Sequence, residues 1–223
     1  MLQLGLHQGQ RLLHVLCLGA HSDDIEIGCA GLLFELLQRG PTALTWVVLC
    51  ASGERATEAR RSARVFVRAA KSGEILLRDF SDGFFPSQFA EIKACFEDLK
   101  RAVSPDLVLT HRLEDRHQDH RIVGELTWNT WRNHLILEYE VPKYEGDLGQ
   151  PNAFVPLSPR TRRRKVTHLM RHFASQRSKS WFRPDVFDAM MSLRGVECRA
   201  PSGYAEAFHA RKLSLALNSG ADR

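Results

Sequence analysis

No apolar stretch in this 223-residue chain approaches the roughly 18–20 residues needed to span a bilayer, so no transmembrane helix is expected. The run Leu12–Ala20 is short, contains His14, and lacks both a strongly basic start and an A-x-A-type cleavage site. It reads as a core strand rather than a secretory signal, and a cytoplasmic location is expected. The five cysteines (Cys17, Cys29, Cys50, Cys95 and Cys198) are odd in number, scattered, and form no C-x-x-C pair. That argues against a disulfide framework and against a cysteine zinc finger. No internal repeat and no linker-like composition shift is present, so 1–223 is read as one domain. The dinucleotide fingerprint G-x-G-x-x-G is missing too, since Gly28-Cys29-Ala30-Gly31 does not match it. The acidic loop before it would repel a pyrophosphate, which counts against a nucleotide-dependent oxidoreductase.

What is present is an ordinary globular composition, 43% hydrophobic and 26% charged, which excludes disorder and collagen-like repeats. The net charge of +5 is unevenly placed. Between Leu148 and Pro184 there are nine Lys/Arg and no acid, leaving the rest of the chain net acidic. This basic stretch has three readings: a solvated face, attraction of an anionic substrate such as a diphosphate-linked sugar, or contact with nucleic acid or a membrane surface. It carries no recognisable sequence-specific nucleic-acid module. Trp181 and Phe182 beside Lys179 and Arg183 leave transient membrane contact open.

Buried-strand patterns at Leu12–Gly19, Thr42–Ala51, Glu74–Arg78 and Asp106–Thr110 alternate with helical spacing at Cys29–Gln38, Glu54–Lys71 and Phe89–Ala102. A helix over Ile122–His134 and a strand over Leu135–Val141 follow, then a loop-rich segment, Pro142–Pro159. Helices over 160–174 and 184–198 and a last strand at Tyr204–Ala210 complete the reading. Alternation of this kind predicts an α/β, Rossmann-like three-layer sandwich with a mostly parallel sheet. Its ligand crevice should lie at the carboxyl ends of the strands.

Two polar clusters directly follow predicted strands. The first, Ala20-His21-Ser22-Asp23-Asp24-Ile25-Glu26, puts an imidazole and three carboxylates into six residues; the second is His117-Gln118-Asp119-His120. Imidazole and carboxylate are zinc ligands, and catalytic zinc commonly takes three of them plus an open water position. Alone, the first cluster could be a capped helix start and the second a polar helix face. Convergence at one sheet edge favours a metal site over both.

The strings AHSDDIEIGCAG and HQDH resemble the AHPDDxExxxGG-type and HPDH motifs of PIG-L/LmbE-like zinc-dependent N-deacetylases. The resemblance runs from about Leu12 to Gly124 and returns at Tyr204–Ala210. Ser22 replaces the usual proline and Cys29 interrupts a Gly/Ala-rich stretch, but neither removes a ligand. The resemblance implies that His21, Asp24 and His120 bind zinc, with iron(II) able to occupy the same set. It implies Asp23 as general base and His117 facing the reacting carbonyl, where a protonated ring would stabilise developing charge. Either Asp23 or His117 would protonate the leaving amine. Asp119 joins the catalytic set by orienting one of the histidines through a hydrogen bond, and Glu26 is read as structural.

Arg55 and Glu58 resemble the family's substrate-facing R-x-x-E stretch, against a reading as a solvated helix face. Asp82-Gly83 matches a recurrent pair at the pocket rim, so Arg55 and Asp82 are the candidate substrate-binding residues. The segment EYEVPKYEGDLGQPNAFVPL is similar to a subgroup encoded with bacterial glycan biosynthesis. It implies a loop-rich, basic substrate-capping region over 135–183, with Tyr139, Tyr144 and Asn152 available to a sugar. The resemblance thus implies removal of an acetyl group from a free or carrier-linked N-acetylated amino sugar. A hydrolase of a non-sugar N-acyl substrate or of a phosphoester, and a non-catalytic glycan-binding relative, are the alternatives.

Overall fold

The computed structural model describes residues 5–6 and 10–214, so both ends of the expected 1–223 domain lie outside the described residues. Strand β1 (Leu13–His21) runs through the middle of the sheet, pairing in parallel with β2 (Thr42–Cys50) on one side and β4 (Leu107–His111) on the other. Strands β3 (Ser72–Leu77) and β5 (Leu135–Tyr139) continue the parallel array outward. Beyond β5, strand β7 (Ala205–His209) pairs antiparallel with β5, and β6 (Ala153–Pro156) pairs antiparallel with β7, giving the order β3-β2-β1-β4-β5-β7-β6.

Both faces of the sheet are covered, and the side chains show it with period two. Along β1, Leu13, Val15 and Cys17 join one core while Leu16, Leu18 and Ala20 join the other. The first core packs helices α1 (Asp24–Arg39), α2 (Gly53–Ala69), α5 (Pro159–His172) and α6 (Pro184–Glu197). The second packs α3 (Phe89–Ala102) and α4 (Gln118–Thr130).

The expected architecture is present, with local differences. Helix α1 begins at Asp24 rather than Cys29, because carboxylates of Asp24 and Glu26 sit favourably in a first turn. Strand β6 lies inside the segment expected to be loop, since its residues pair only at the antiparallel edge. The chain changes direction between β1 and β4, whose carboxyl ends therefore open a crevice at the switch point. Both polar clusters line that crevice.

Candidate active site

His21 ends β1, Asp24 opens α1, and His120 lies in the first turn of α4. All three are buried, and their facing atoms form a triangle. His21 Nδ1 is 3.1 Å from His120 Nε2 and 3.4 Å from Asp24 Oδ2, and His120 Nε2 is 3.5 Å from Asp24 Oδ2. A tetrahedral ion with ligands at about 2.1 Å would space them about 3.4 Å apart.

The outer contacts decide which ring nitrogens face inward. His120 Nδ1 is 3.0 Å from Asp115 Oδ2, and His21 Nε2 is 3.2 Å from Asp119 Oδ2 and 3.1 Å from Asp82 Oδ1. Carboxylates only accept, so each ring donates outward and turns a lone pair toward the triangle. Asp24 Oδ2 adds a third, held by the His21 backbone N–H at 2.6 Å. Three acceptors in contact require a cation or a proton among them. Although burial opposes it, the carboxylates of Asp24, Asp119 and Asp82 raise the His21 pKa well above that of a free imidazole. The residues therefore fit a divalent ion. Among the described residues, every cluster of potential metal-binding side chains belongs to this site.

Asp23 lies beside the triangle, 3% exposed, with Oδ2 unpartnered and Oδ1 3.8 Å from an Arg55 nitrogen. Burial, then the neighbouring Asp24, pushes its pKa up to about 6. His117 caps α4, its Nδ1 accepting the Asp119 N–H at 3.3 Å. In the neutral ring the proton is then on Nε2. Burial, then the adjacent His120 and His21, lower its pKa below that of a free imidazole, a direction that favours the neutral ring. Asp119 orients His21, and is itself gripped by the backbone N–H groups of Gly83 (2.7 Å) and Phe85 (3.1 Å).

Arg55 donates to Asp82 at 3.0 Å while facing Asp23, so the two expected substrate residues are also tied to each other and to His21. The Asp82 side chain is half exposed at the rim. Glu58 does not face a substrate. It is buried and accepts from the backbone N–H and hydroxyl of Ser175, pinning the turn after α5. Glu26 is fully buried against the Ser62 hydroxyl, and burial pushes its pKa up to about 8, in keeping with a structural role. Of the three residues expected to meet a sugar, Tyr139 is fully buried, its hydroxyl donating to the Leu18 carbonyl at 2.6 Å. Asn152 is committed to the backbone of Ala210, which leaves Tyr144, 70% exposed. Phe182 belongs to the core, leaving Trp181 as the aromatic at that surface.

Sequence reasoning missed three residues here. His111, the last residue of β4, is fully buried, its ring stacked on that of His120 at 3.9 Å and its Nε2 3.1 Å from Asp24 Oδ2. Asp115 holds His120, and Lys143 holds Asp115 at 2.9 Å and Asp147 at 2.8 Å.

The sequence profile of the PIG-L family, described as GlcNAc-PI de-N-acetylase, matches residues 16–131. The chain belongs to this family. It is 29% identical over 138 residues, 57% of its length and 74% of the relative's, to the uncharacterized deacetylase YaiS of Escherichia coli K12. Among solved structures the fold is similar to that of N,N'-diacetylchitobiose deacetylase from Pyrococcus horikoshii (TM-score 0.64, 18% identity, 88% of this chain and 83% of that one). It is similar also to teicoplanin deacetylase Orf2 in its zinc-inhibited form (0.66, 14%, 88% and 97%). A 4-carboxy-2-hydroxymuconate hydratase, GalB of Pseudomonas putida, shares it as well (0.71, 17%, 92% and 99%). Likeness to these structures speaks to the PIG-L fold; the family match and the YaiS relative support a deacetylase, a hydrolase acting on amides. No helix of the described residues is long and apolar enough to cross a membrane.

Proposed function

We propose that the chain is a metal-dependent N-deacetylase acting on the acetamide of an N-acetylated amino sugar or glycan precursor. The observation that carries this reading is the convergence of three lone pairs, from His21, Asp24 and His120, at 3.1–3.5 Å beside the unpartnered Oδ2 of Asp23. Two imidazoles and one carboxylate suit zinc, and also iron(II). When bound, such an ion supplies Lewis acidity and lowers the pKa of water to about 7.

The chain's own groups do the rest. Asp23 Oδ2 is uncommitted, and a carboxyl titrating near 6 is ionised at neutral pH yet basic enough to take a proton from the attacking water. His117 Nε2–H donates to the carbonyl oxygen as charge gathers there. Its Nδ1 is occupied by the Asp119 amide, so the proton stays where it is useful. The water oxygen bonds to the carbonyl carbon. Asp23, now carrying that water's proton, passes it to the amide nitrogen, and the C–N bond breaks. The acetic acid formed gives its remaining proton to the released amine, so the products are acetate and an ammonium. Arg55 and Asp82 stand at the rim, where the substrate's ring would lie against them.

Acetate release tests this from a panel of N-acetylhexosamines offered free, nucleotide-diphosphate-linked and lipid-linked, with zinc-loaded protein and Asp23→Ala as control. Release confined to one carrier form establishes the activity and names the substrate class. No release from any member, with metal shown to be bound, overturns the amino-sugar reading.

A further inference from the structure

Helix α1 is broken. Cys29 has φ −145° and ψ 16°, outside the helical region, so the short segment 24–28 and the longer one beyond it are separate rods. In an unbroken helix the Gly31 N–H would reach the Ile27 carbonyl and the Leu32 N–H that of Gly28. Side chains from distant elements replace them. Glu206 of β7 takes the Gly31 N–H on one carboxylate oxygen at 2.7 Å and the Leu32 N–H on the other at 2.6 Å. Lys165 of α5 donates to the Ile27 carbonyl at 2.6 Å and to Glu206 at 2.6 Å. The carboxylate stands in for lost acceptors and the ammonium for a lost donor, and each residue is 4% exposed. The space is reserved for them: a Cβ at position 31 would lie 2.8 Å from the Glu206 carboxyl group.

The segment held this way is the one that begins with Asp24 and directly follows Asp23. Ile27 donates its N–H to the Asp23 carbonyl at 3.0 Å, so a single helical turn separates the general base from the Lys165 contact. A buried ion pair is seldom retained for stability, because apolar residues of similar volume are often as good or better. We propose that Lys165 and Glu206 are positioning residues for the active site: they splint the break in α1 and thereby aim Asp23 and Asp24. This rests on the metal-site reading given above.

The test compares wild type with Lys165→Met, Glu206→Gln and Lys165→Arg, below their melting temperatures. The readouts are the dissociation constant for zinc, the visible spectrum of the cobalt(II)-loaded protein, and kcat and KM separately. The expected result for Lys165→Met and Glu206→Gln is metal affinity weakened about 10–100-fold, an altered cobalt spectrum and a fall in kcat with little change in KM. Lys165→Arg, which keeps a cationic donor, should restore most of the loss. If either single variant fails to fold, Lys165→Met/Glu206→Met removes both charges together and keeps the packing volume. That double variant should fold and still bind metal poorly. Variants that lose only melting temperature, with zinc affinity, cobalt spectrum and kcat within twofold of wild type, would overturn the splint while leaving the metal site standing. A wild-type chain that binds neither zinc nor cobalt would overturn the metal-site reading itself, and the splint with it.

Discussion

Asp23→Asn removes one negative charge and keeps the side-chain shape, so it isolates proton transfer from packing. Asp23 is 3% exposed and contributes no atom to the His21–Asp24–His120 triangle, so zinc stoichiometry should stay at wild-type level. The loss falls on the chemical step. A positioned general base contributes about 10²–10⁴-fold, which is about 2.7–5.4 kcal/mol of barrier. The pH dependence follows from the same group. Burial beside Asp24 raises the carboxyl to about 6, and the base works only when ionised. Activity should therefore fall as pH drops through that value, tenfold per unit below it, with the limb moved lower by any bound cation. In Asp23→Asn that limb should vanish from what activity remains. The assay is acetate release across pH 4.5–8.5 with metal content measured on the same samples. Turnover within tenfold of wild type, or an acid limb persisting unchanged in the variant, would refute the assignment.

Four further outcomes are expected. His120→Ala should lose zinc before it loses its fold, and Asp115→Asn should weaken zinc binding about 10–100-fold through the 3.0 Å contact to His120; equilibrium dialysis decides both. His168 is buried, and burial, then His172, lowers its pKa to about 3, so the folded chain resists a proton that the unfolded chain takes up near 6.5. Stability should drop as pH falls from about 6.5 toward 3, by about 1.4 kcal/mol per unit, and His168→Gln should flatten the urea-midpoint curve over that window; an unchanged slope would count against it. Gly28→Ala would place a Cβ 2.2 Å from the Tyr139 ring, whose hydroxyl is tied to the Leu18 carbonyl, so unfolding measurements should show a loss of about 1–3 kcal/mol.

The sequence made some of this visible because its signals were local. His21, Asp23 and Asp24 follow a run of buried residues, and His117, Asp119 and His120 follow another, so their meeting needed only the rule that parallel strands end at one edge. His111 carried no such mark, since a histidine closing an apolar strand looks like any strand terminus. Asp115 and Lys143 meet only because β4 and β5 pair from Leu107↔Leu135 to His111↔Tyr139, a register that no local pattern encodes. Lys165 was hidden among basic neighbours by composition alone. Its spacing was informative: Thr161, Lys165, His168, Leu169 and His172 fall on one helical stripe, and all five are buried. Helix α1 read as loop through its acidic start because the carboxylates there suit a helix N-terminus as well as a turn.

The segment between β3 and α3 is fastened by its backbone: the amides of Gly83 and Phe85 hold Asp119, while the residue between them, Phe84, is 64% exposed. Position 84 can therefore accept a wide range of side chains at the crevice without disturbing the histidine that Asp119 aligns. Substitutions there would redraw the entrance while the groups behind it stay fixed, making it the natural first position to randomise in a selection for altered substrate preference.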